Sequence, residues 1–382
     1  MNILVAPDSY KGSLTAGEVA ACMEDGILRV FPDARVVKIP IADGGEGTVE
    51  ALVNAANGRF VHERVMGPLG DPVTACFGIL DDGHTAVIEI ASASGLSLVP
   101  ARSLNPMAAT TYGTGQLIRA ALDRGCRKLI IGLGGSATND GGAGMAQALG
   151  VKFYDASGCE IGLGAERLGE IARIDVSGLD PRVAECEVLI AGDVTNPLCG
   201  PDGASAVYGP QKGATAEMVR LLDRNLLHYG RLIEAQLGVR VVDAEGAGAG
   251  GGLGAGLIAF LSADMRRGID LILEMVQFEK RVREADLVLT GEGRTDSQTA
   301  FGKAPLGVAG VAKIHGKPVI CISGGVAYQL DDLHDLGLDG IFGAVQSPMS
   351  LQEAMANAAE LVRHTTAEIM RVIRLSKHVL RN

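Results

Sequence analysis

Residues 286–298, DLVLTGEGRTDSQ, run from an apolar stretch straight into a segment that places Glu292, Arg294 and Asp296 between glycines and small residues. The apolar part is short and continuous, as a buried strand is, and Gly291 and Gly293 mark the turn that follows it. In open parallel sheets ligands bind outside the carboxyl ends of the strands, so charges clustered at such an end are candidates for chemistry. The same stretch decides the domain organisation. From it onward the chain reads as strand DLVLTGEG, helix PLGVAGVAKIHG, strand PVICISGG, strand DGIFGAV and helix MSLQEAMANAAELVRHTTAEIMRVI.

That β-α rhythm already opens the chain: ILVAP as a strand, LTAGEVAACMEDGILRVF as an amphipathic helix, RVVKIPIA as a strand and GTVEALVNAAN as a helix. Two strands at the start and three at the end are each too few for an independent sheet, but together they make a five-stranded parallel one. The expected architecture is α/β, with a discontinuous domain at 1–60 and 283–382 and an inserted second domain at 61–282. In the insert, FVHERVMG, VTACFGIL and TAVIEIA are separated by Gly, Pro and Asp turns and predict antiparallel pairing. A helix near 116–124, the run KLIIGLGG, the helix AGMAQALG, and the strands VKFYD and VLIAGD then predict an α/β region with a mixed sheet.

Composition narrows the class. With 47% hydrophobic and 21% charged residues, 382 residues suffice for two or three domains with their own cores. A net charge of −11, without a basic cluster interleaved with aromatics, argues against nucleic-acid binding. Seven cysteines, at 22, 76, 126, 159, 186, 199 and 321, show no C-x-x-C spacing and indicate reduced thiols. No signal peptide and no membrane-spanning run is expected, so the reading is of a cytoplasmic protein, and a homo-oligomer is compatible with it.

Four strand ends of the discontinuous domain carry Gly-rich segments: APDSYKGS (6–13), IADGGEGT (41–48), LTGEGRTDS (289–297) and ISGG (322–325). At the first, Asp8, Ser9, Lys11 and Ser13 precede a helix whose N–H groups favour anions, so a phosphate or carboxylate is a candidate ligand; alternatively Asp8 and Ser13 cap the helix and Lys11 is solvated. Asp43 and Glu46 flank a glycine pair and suit a metal or a substrate hydroxyl. In the insert, GLGGSATNDGGAG (132–144) follows a strand and precedes a helix, so its backbone N–H groups are a candidate anion nest. AGDVTNPLCG (191–200) presents Asp193, Thr195 and Asn196 before Pro197, either as a functional turn or as an ordinary Asx-turn. GAGAGGGLGAGL (246–257) either admits a phosphate or permits close helix packing.

A rival reading comes from Gly132, Gly134 and Ala137, which satisfy G-x-G-x-x-A with Asp155 ending the next strand, and so mimic a dinucleotide fingerprint. The acid and glycines that follow, Asp140, Gly141 and Gly142, fit poorly at a helix start that should welcome pyrophosphate. No P-loop, kinase H-R-D, H-E-x-x-H or G-x-S-x-G motif is present.

Taken together, APDSYKGSLTAGEVA, PIADGGEGTVEAL, GLGGSATNDGGAGMAQALG, GDVTNPLCGPDGAS, GPQKGA and LTGEGRTDSQTAFGKAPLGVA resemble the bacterial glycerate kinase family, type 1, through nearly the whole chain. The resemblance implies ATP- and Mg²⁺-dependent phosphorylation of D-glycerate to 2-phosphoglycerate, on a flavodoxin-like domain with a second α/β domain inserted and a cleft between domains for the transfer. Phosphoryl transfer rests on positioning and charge stabilisation. Lys11, Arg294, Lys303 and Lys212 are the candidate cations; Asp193, Asp296 and Asp43 are the candidate Mg²⁺ ligands; Asp193 or Asp296, with Asp8 third, is the candidate base. Glu46, Glu292, Gly134, Gly135, Ser136, Thr138, Asn139, Asp140 and Asn196 complete the expected substrate- and phosphate-binding set with Ser9 and Ser13. The alternatives are an NAD-dependent oxidoreductase using 132–155 and a non-catalytic nucleotide-binding sensor.

Overall fold

The structure, a computed structural model, describes residues 1–41, 47–296, 299 and 303–379. The chain forms two compact units, Met1–Asp43 with Ile269–Asn382, and Gly44–Gly268. The first unit supplies β1 (Asn2–Val5) and β2 (Arg35–Lys38). The second supplies β3 (Arg59–Met66), β4 (Pro72–Ile79), β5 (Thr85–Glu89), β6 (Lys128–Gly132), β7 (Lys152–Tyr154), β8 (Arg173–Asp175), β9 (Glu187–Ala191) and β10 (Asp264–Arg266). The first unit resumes with β11 (Leu287–Thr290), β12 (Arg294–Thr295), β13 (Val319–Ser323), β14 (Gly325–Val326) and β15 (Gly340–Gly343).

The main sheet of the first unit is wholly parallel, in the order β2-β1-β11-β13-β15. Counting only that unit's own strands the order is 2-1-3-4-5, the flavodoxin-like arrangement, whose direction of winding reverses between β1 and β11. On one face, helix Ala16–Leu28 and the long helix Ala358–Val379 pack together, and Val19, Met23, Ile27, Val362 and Met370 join Ile3, Val5, Leu287 and Leu289 in one core. Each such aliphatic side chain contributes about 1.5–3 kcal/mol when fully buried. Helix Ala16–Leu28 starts at Thr15, whose hydroxyl accepts from Glu18 N at 3.2 Å while Glu18 Oε2 accepts from Thr15 N at 2.8 Å. This reciprocal cap satisfies the helix start without Asp8 or Ser13.

The second unit carries a six-stranded mixed sheet in the order β10-β9-β6-β5-β4-β3. β5, β6, β9 and β10 run parallel, and β3, β4 and β5 pair antiparallel. Its core joins Phe77, Ile88 and Ile131 of the sheet to Leu117, Met145, Leu226, Tyr229 and Phe260 of the helices. Phe153 meets Tyr229 and Phe260 edge-on, at centroid distances of 5.8 and 6.0 Å.

The division differs from boundaries at 60/61 and 282/283. Helix Thr48–Ala55, which opens with the sequence rhythm of the first unit, packs on β4 and β5, and Val49 N donates to Glu89 Oε1 at 2.8 Å. At the other boundary, Ile269 lies against Gly307 and helix Phe278–Glu284 packs on β1 and on helix Ala304–Ile314, so both belong to the first unit. No helix among the described residues is long and apolar enough to cross a membrane.

Candidate active site

At the reversal point of the first unit, the carboxyl ends of β1 and β11 are tied together by Asp8 N donating to the Gly291 carbonyl at 2.8 Å. Only glycine fits at 291, because a Cβ there would lie 1.9 Å from the Ile322 carbonyl oxygen. The chain then turns into β12, which pairs with β14 and fixes the backbone of Arg294 and Thr295. Glu292 faces inward and is 5% exposed. Its Oε1 accepts from Thr295 Oγ1 at 3.1 Å and Thr299 Oγ1 at 2.6 Å, and its Oε2 accepts from Lys303 Nζ at 3.1 Å. Thr295 Oγ1 also lies 2.7 Å from Ser323 Oγ. A buried carboxylate needs a cation and several donors to offset its lost hydration, and these groups are that compensation.

Asp296 remains more open, with 24% of its side chain exposed. Arg294 Nε stands 3.4 Å from its Oδ2 and Lys303 Nζ 3.9 Å from its Oδ1. Lys303 therefore lies between a buried acid and an accessible one, while the Arg294 side chain is 75% exposed. Asp8 is half-buried and accepts from Ser9 N at 2.6 Å; Lys11 is exposed. Ser13 Oγ donates to the Met355 carbonyl at 3.2 Å, which makes it a tie to the C-terminal part of this unit. Asp43 and Glu46 lie outside the described residues.

In the second unit the segment after β6 is built differently. Gly134 is partly exposed and Gly135 exposed, but Ser136 is 5% exposed and Thr138, Asn139 and Asp140 are fully buried. The Asp140 carboxylate accepts from Thr111 N at 2.8 Å, from Thr111 Oγ1 at 3.0 and 3.1 Å, from Gly142 N at 3.2 Å and from Gly144 N at 3.3 Å. Burial nevertheless raises its pKa above the ordinary carboxylate range, against the lowering effect of those bonds. Asn139 Nδ2 donates to Ser205 Oγ at 2.9 Å, and its Oδ1 is buried without a partner among the described residues. Asp140 thus occupies helix-start N–H groups itself and ties the loop together.

Lys212 is 2% exposed, and its Nζ donates to Ser136 Oγ and to the Thr138 carbonyl, each at 2.7 Å, so it clasps the loop from inside. Within 246–257, Gly251 makes a close backbone contact. At φ +73°, a Cβ there would lie 1.9 Å from the Thr138 carbonyl oxygen, and Gly141 N donates to its carbonyl at 3.1 Å. Close backbone packing is the reason for the glycine there. Asn196 is a turn residue, its Nδ2 donating to Asp202 O at 2.7 Å and its Oδ1 accepting from Tyr208 OH at 2.7 Å. Asp193, just past β9, is exposed.

The dinucleotide fingerprint fails on topology. β7 does not join β6 in the main sheet but pairs antiparallel with β8. Asp155 closes an exposed turn, accepting from Ser157 N, Ser157 Oγ and Cys159 N at 2.9, 2.6 and 2.9 Å. The residues that sequence reasoning passed over are Thr295, Thr299 and Ser323; the threonines stand three and seven positions after Glu292, a spacing visible in the sequence. Among the described residues, no group of three or more His, Cys, Asp or Glu side chains is placed to hold a metal ion.

Comparison with known proteins agrees with this architecture. The model of the glycerate kinase family matches residues 3–374. The glycerate kinase of Bacillus subtilis (strain 168) is 54% identical over 99% of each chain, and the glycerate 2-kinase of Escherichia coli (strain K12) is 50% identical over 97% of each. A crystal structure from Salmonella typhimurium LT2, of a protein provisionally assigned as glycerate kinase 2, superposes with a TM-score of 0.90 at 50% identity and covers 99% of both chains.

Proposed function

The chain belongs to the glycerate kinase family, and from that premise we propose that it transfers the terminal phosphoryl group of ATP to the 2-hydroxyl of D-glycerate. The observation that carries the assignment of roles is the pairing at the end of β11, where an accessible carboxylate, Asp296, is flanked by Arg294 and Lys303 at the reversal point of the sheet. In this reading Asp296 orients the attacking hydroxyl and accepts its proton. Arg294, planar and exposed, grips the glycerate carboxylate by a bidentate contact, while Lys303 and Lys11 balance charge on the transferring group. Glu292 holds Lys303 in place. Gly134, Gly135 and Ser136 offer N–H and hydroxyl donors to a nucleotide phosphate.

Mg²⁺ accompanies the nucleotide. Such an ion takes one or two carboxylates together with phosphate oxygens, and Asp193, Asp296 and Asp43 are the candidates to hold it. When bound, the ion would neutralise charge developing between the phosphates. ATP as donor goes with a cytoplasmic enzyme.

The test is a coupled assay of ADP release with and without D-glycerate, followed by identification of the phosphorylated product. Glycerate-dependent ADP and 2-phosphoglycerate are expected. ATP binding without turnover would instead favour a sensor, and glycerate-dependent reduction of a nicotinamide cofactor an oxidoreductase.

A further inference from the structure

We propose that Lys212 is a positioning residue of the loop after β6: its ammonium fixes Ser136 as a hydrogen-bond acceptor, so that the Ser136 hydroxyl hydrogen is presented to a nucleotide phosphate, and loss of the ammonium proton turns that hydrogen inward. The proposal rests on the nucleotide-binding role given above to Gly134, Gly135 and Ser136.

The geometry is specific. An ammonium has three donors and no acceptor, so at 2.7 Å from Lys212 Nζ the Ser136 oxygen must accept, and its own hydrogen must point elsewhere. The second bond, to the Thr138 carbonyl at 2.7 Å, closes the clasp around Ala137, whose N–H is held by the Ser94 carbonyl at 2.9 Å. Gly135, beside Ser136, is exposed, and Ser136 itself keeps 5% of its surface accessible. A neutral amine keeps its donation to Thr138 but gains a lone pair, which the Ser136 O–H can then satisfy. Burial without a directly paired carboxylate pushes the Lys212 amine down to about 7; Asp140 acts on it in the opposite direction. The Asp140 oxygens are engaged by Thr111, Gly142 and Gly144, and Tyr229, which also senses Asp140, is held neutral by burial. Below that pH the hydroxyl faces outward and the nucleotide binds tightly; above it the hydroxyl turns in and binding weakens.

The experiment measures the Kd of ATP by calorimetry from pH 6.0 to 8.5 for the wild-type chain, Ser136→Ala and Lys212→Met. Ionisation of ATP is common to all three and cancels in the ratio of variant to wild type. For Ser136→Ala that ratio is expected to be about tenfold at pH 6.0, the worth of a charge-assisted hydrogen bond, and to fall below about twofold at pH 8.5. Lys212→Met should bind ATP weakly with the same Kd at every pH, once ATP ionisation is allowed for. A Ser136→Ala ratio that stays constant or grows with pH overturns the proposal. Should Lys212→Met fail to fold, Ser136→Ala decides alone, since it leaves the lysine in place. Absence of glycerate-dependent ADP release with normal ATP binding would defeat the proposed reaction and leave this inference to stand or fall on the ratio.

Discussion

Asp296 and Asp140 each follow the carboxyl end of a parallel strand, β11 and β6 respectively, yet they are held in opposite surroundings. Asp140 is fully buried and its oxygens are filled by backbone N–H groups and a threonine. Asp296 keeps a quarter of its side chain in solvent between two cations. A strand end thus nominates a residue, but the loop around it decides whether the charge is enclosed in the scaffold or left accessible. The two lysines divide in the same way. Lys212 is enclosed and carries only neutral acceptors, whereas Lys303 is partly open and touches two carboxylates.

The sharpest way to break this contrast is to replace the two acids in parallel. Asp296→Asn should lower turnover of ATP and glycerate by ~10²-fold or more, with the thermal midpoint unchanged. Asp140→Asn should do the reverse. It places an amide against several donors and should lower the unfolding free energy by about 2–4 kcal/mol in a denaturant titration. Equal stability losses in the two variants would erase the distinction.

A second, smaller effect concerns Lys212. Burial pushes the folded Lys212 amine down from the ordinary lysine range to about 7. Between those values the unfolded chain binds a proton that the folded chain does not, so this residue makes stability rise with pH across that window. The denaturant midpoint of the wild type relative to Lys212→Met should therefore move in the wild type's favour from pH 7 to 9, by about 1–2 kcal/mol in unfolding free energy. The smallest effect is expected at Thr15→Ala, which removes the cap of helix Ala16–Leu28 and should cost about 1 kcal/mol, with kcat within twofold of the wild type. A large loss of kcat there would return the helix start to the list of ligand contacts.

Much of the fold was legible because strand ends are written in glycine: the parallel sheet of the first unit could be assembled from its two separated runs. The T-x-x-E pattern at Thr15–Glu18 was equally legible, and it supplies the cap for which Asp8 and Ser13 were candidates. Other features depend on partners that no local pattern specifies. Helix Thr48–Ala55 is evident as a helix, but its own sequence does not say which sheet receives it. Lys212 meets Ser136 across 76 residues, and its burial follows from that packing alone. Glycines around Asp140 suggested openness to a ligand, whereas they bring backbone N–H groups within reach of its carboxylate.

The parallel sheet of the first unit has a temporal consequence. Thr290 and Ala6, joined by a hydrogen bond across β11 and β1, stand 284 residues apart in the chain. During synthesis β1 and β2 emerge long before the strand that must lie beside them, while Gly44–Gly268 is contiguous and can close its own sheet first. Docking of β11 onto β1 is then a late event, slowed by the wide sequence separation of its contacts. A nascent chain released before residue 287 would therefore carry a completed inner unit and a first-unit sheet lacking its central strand.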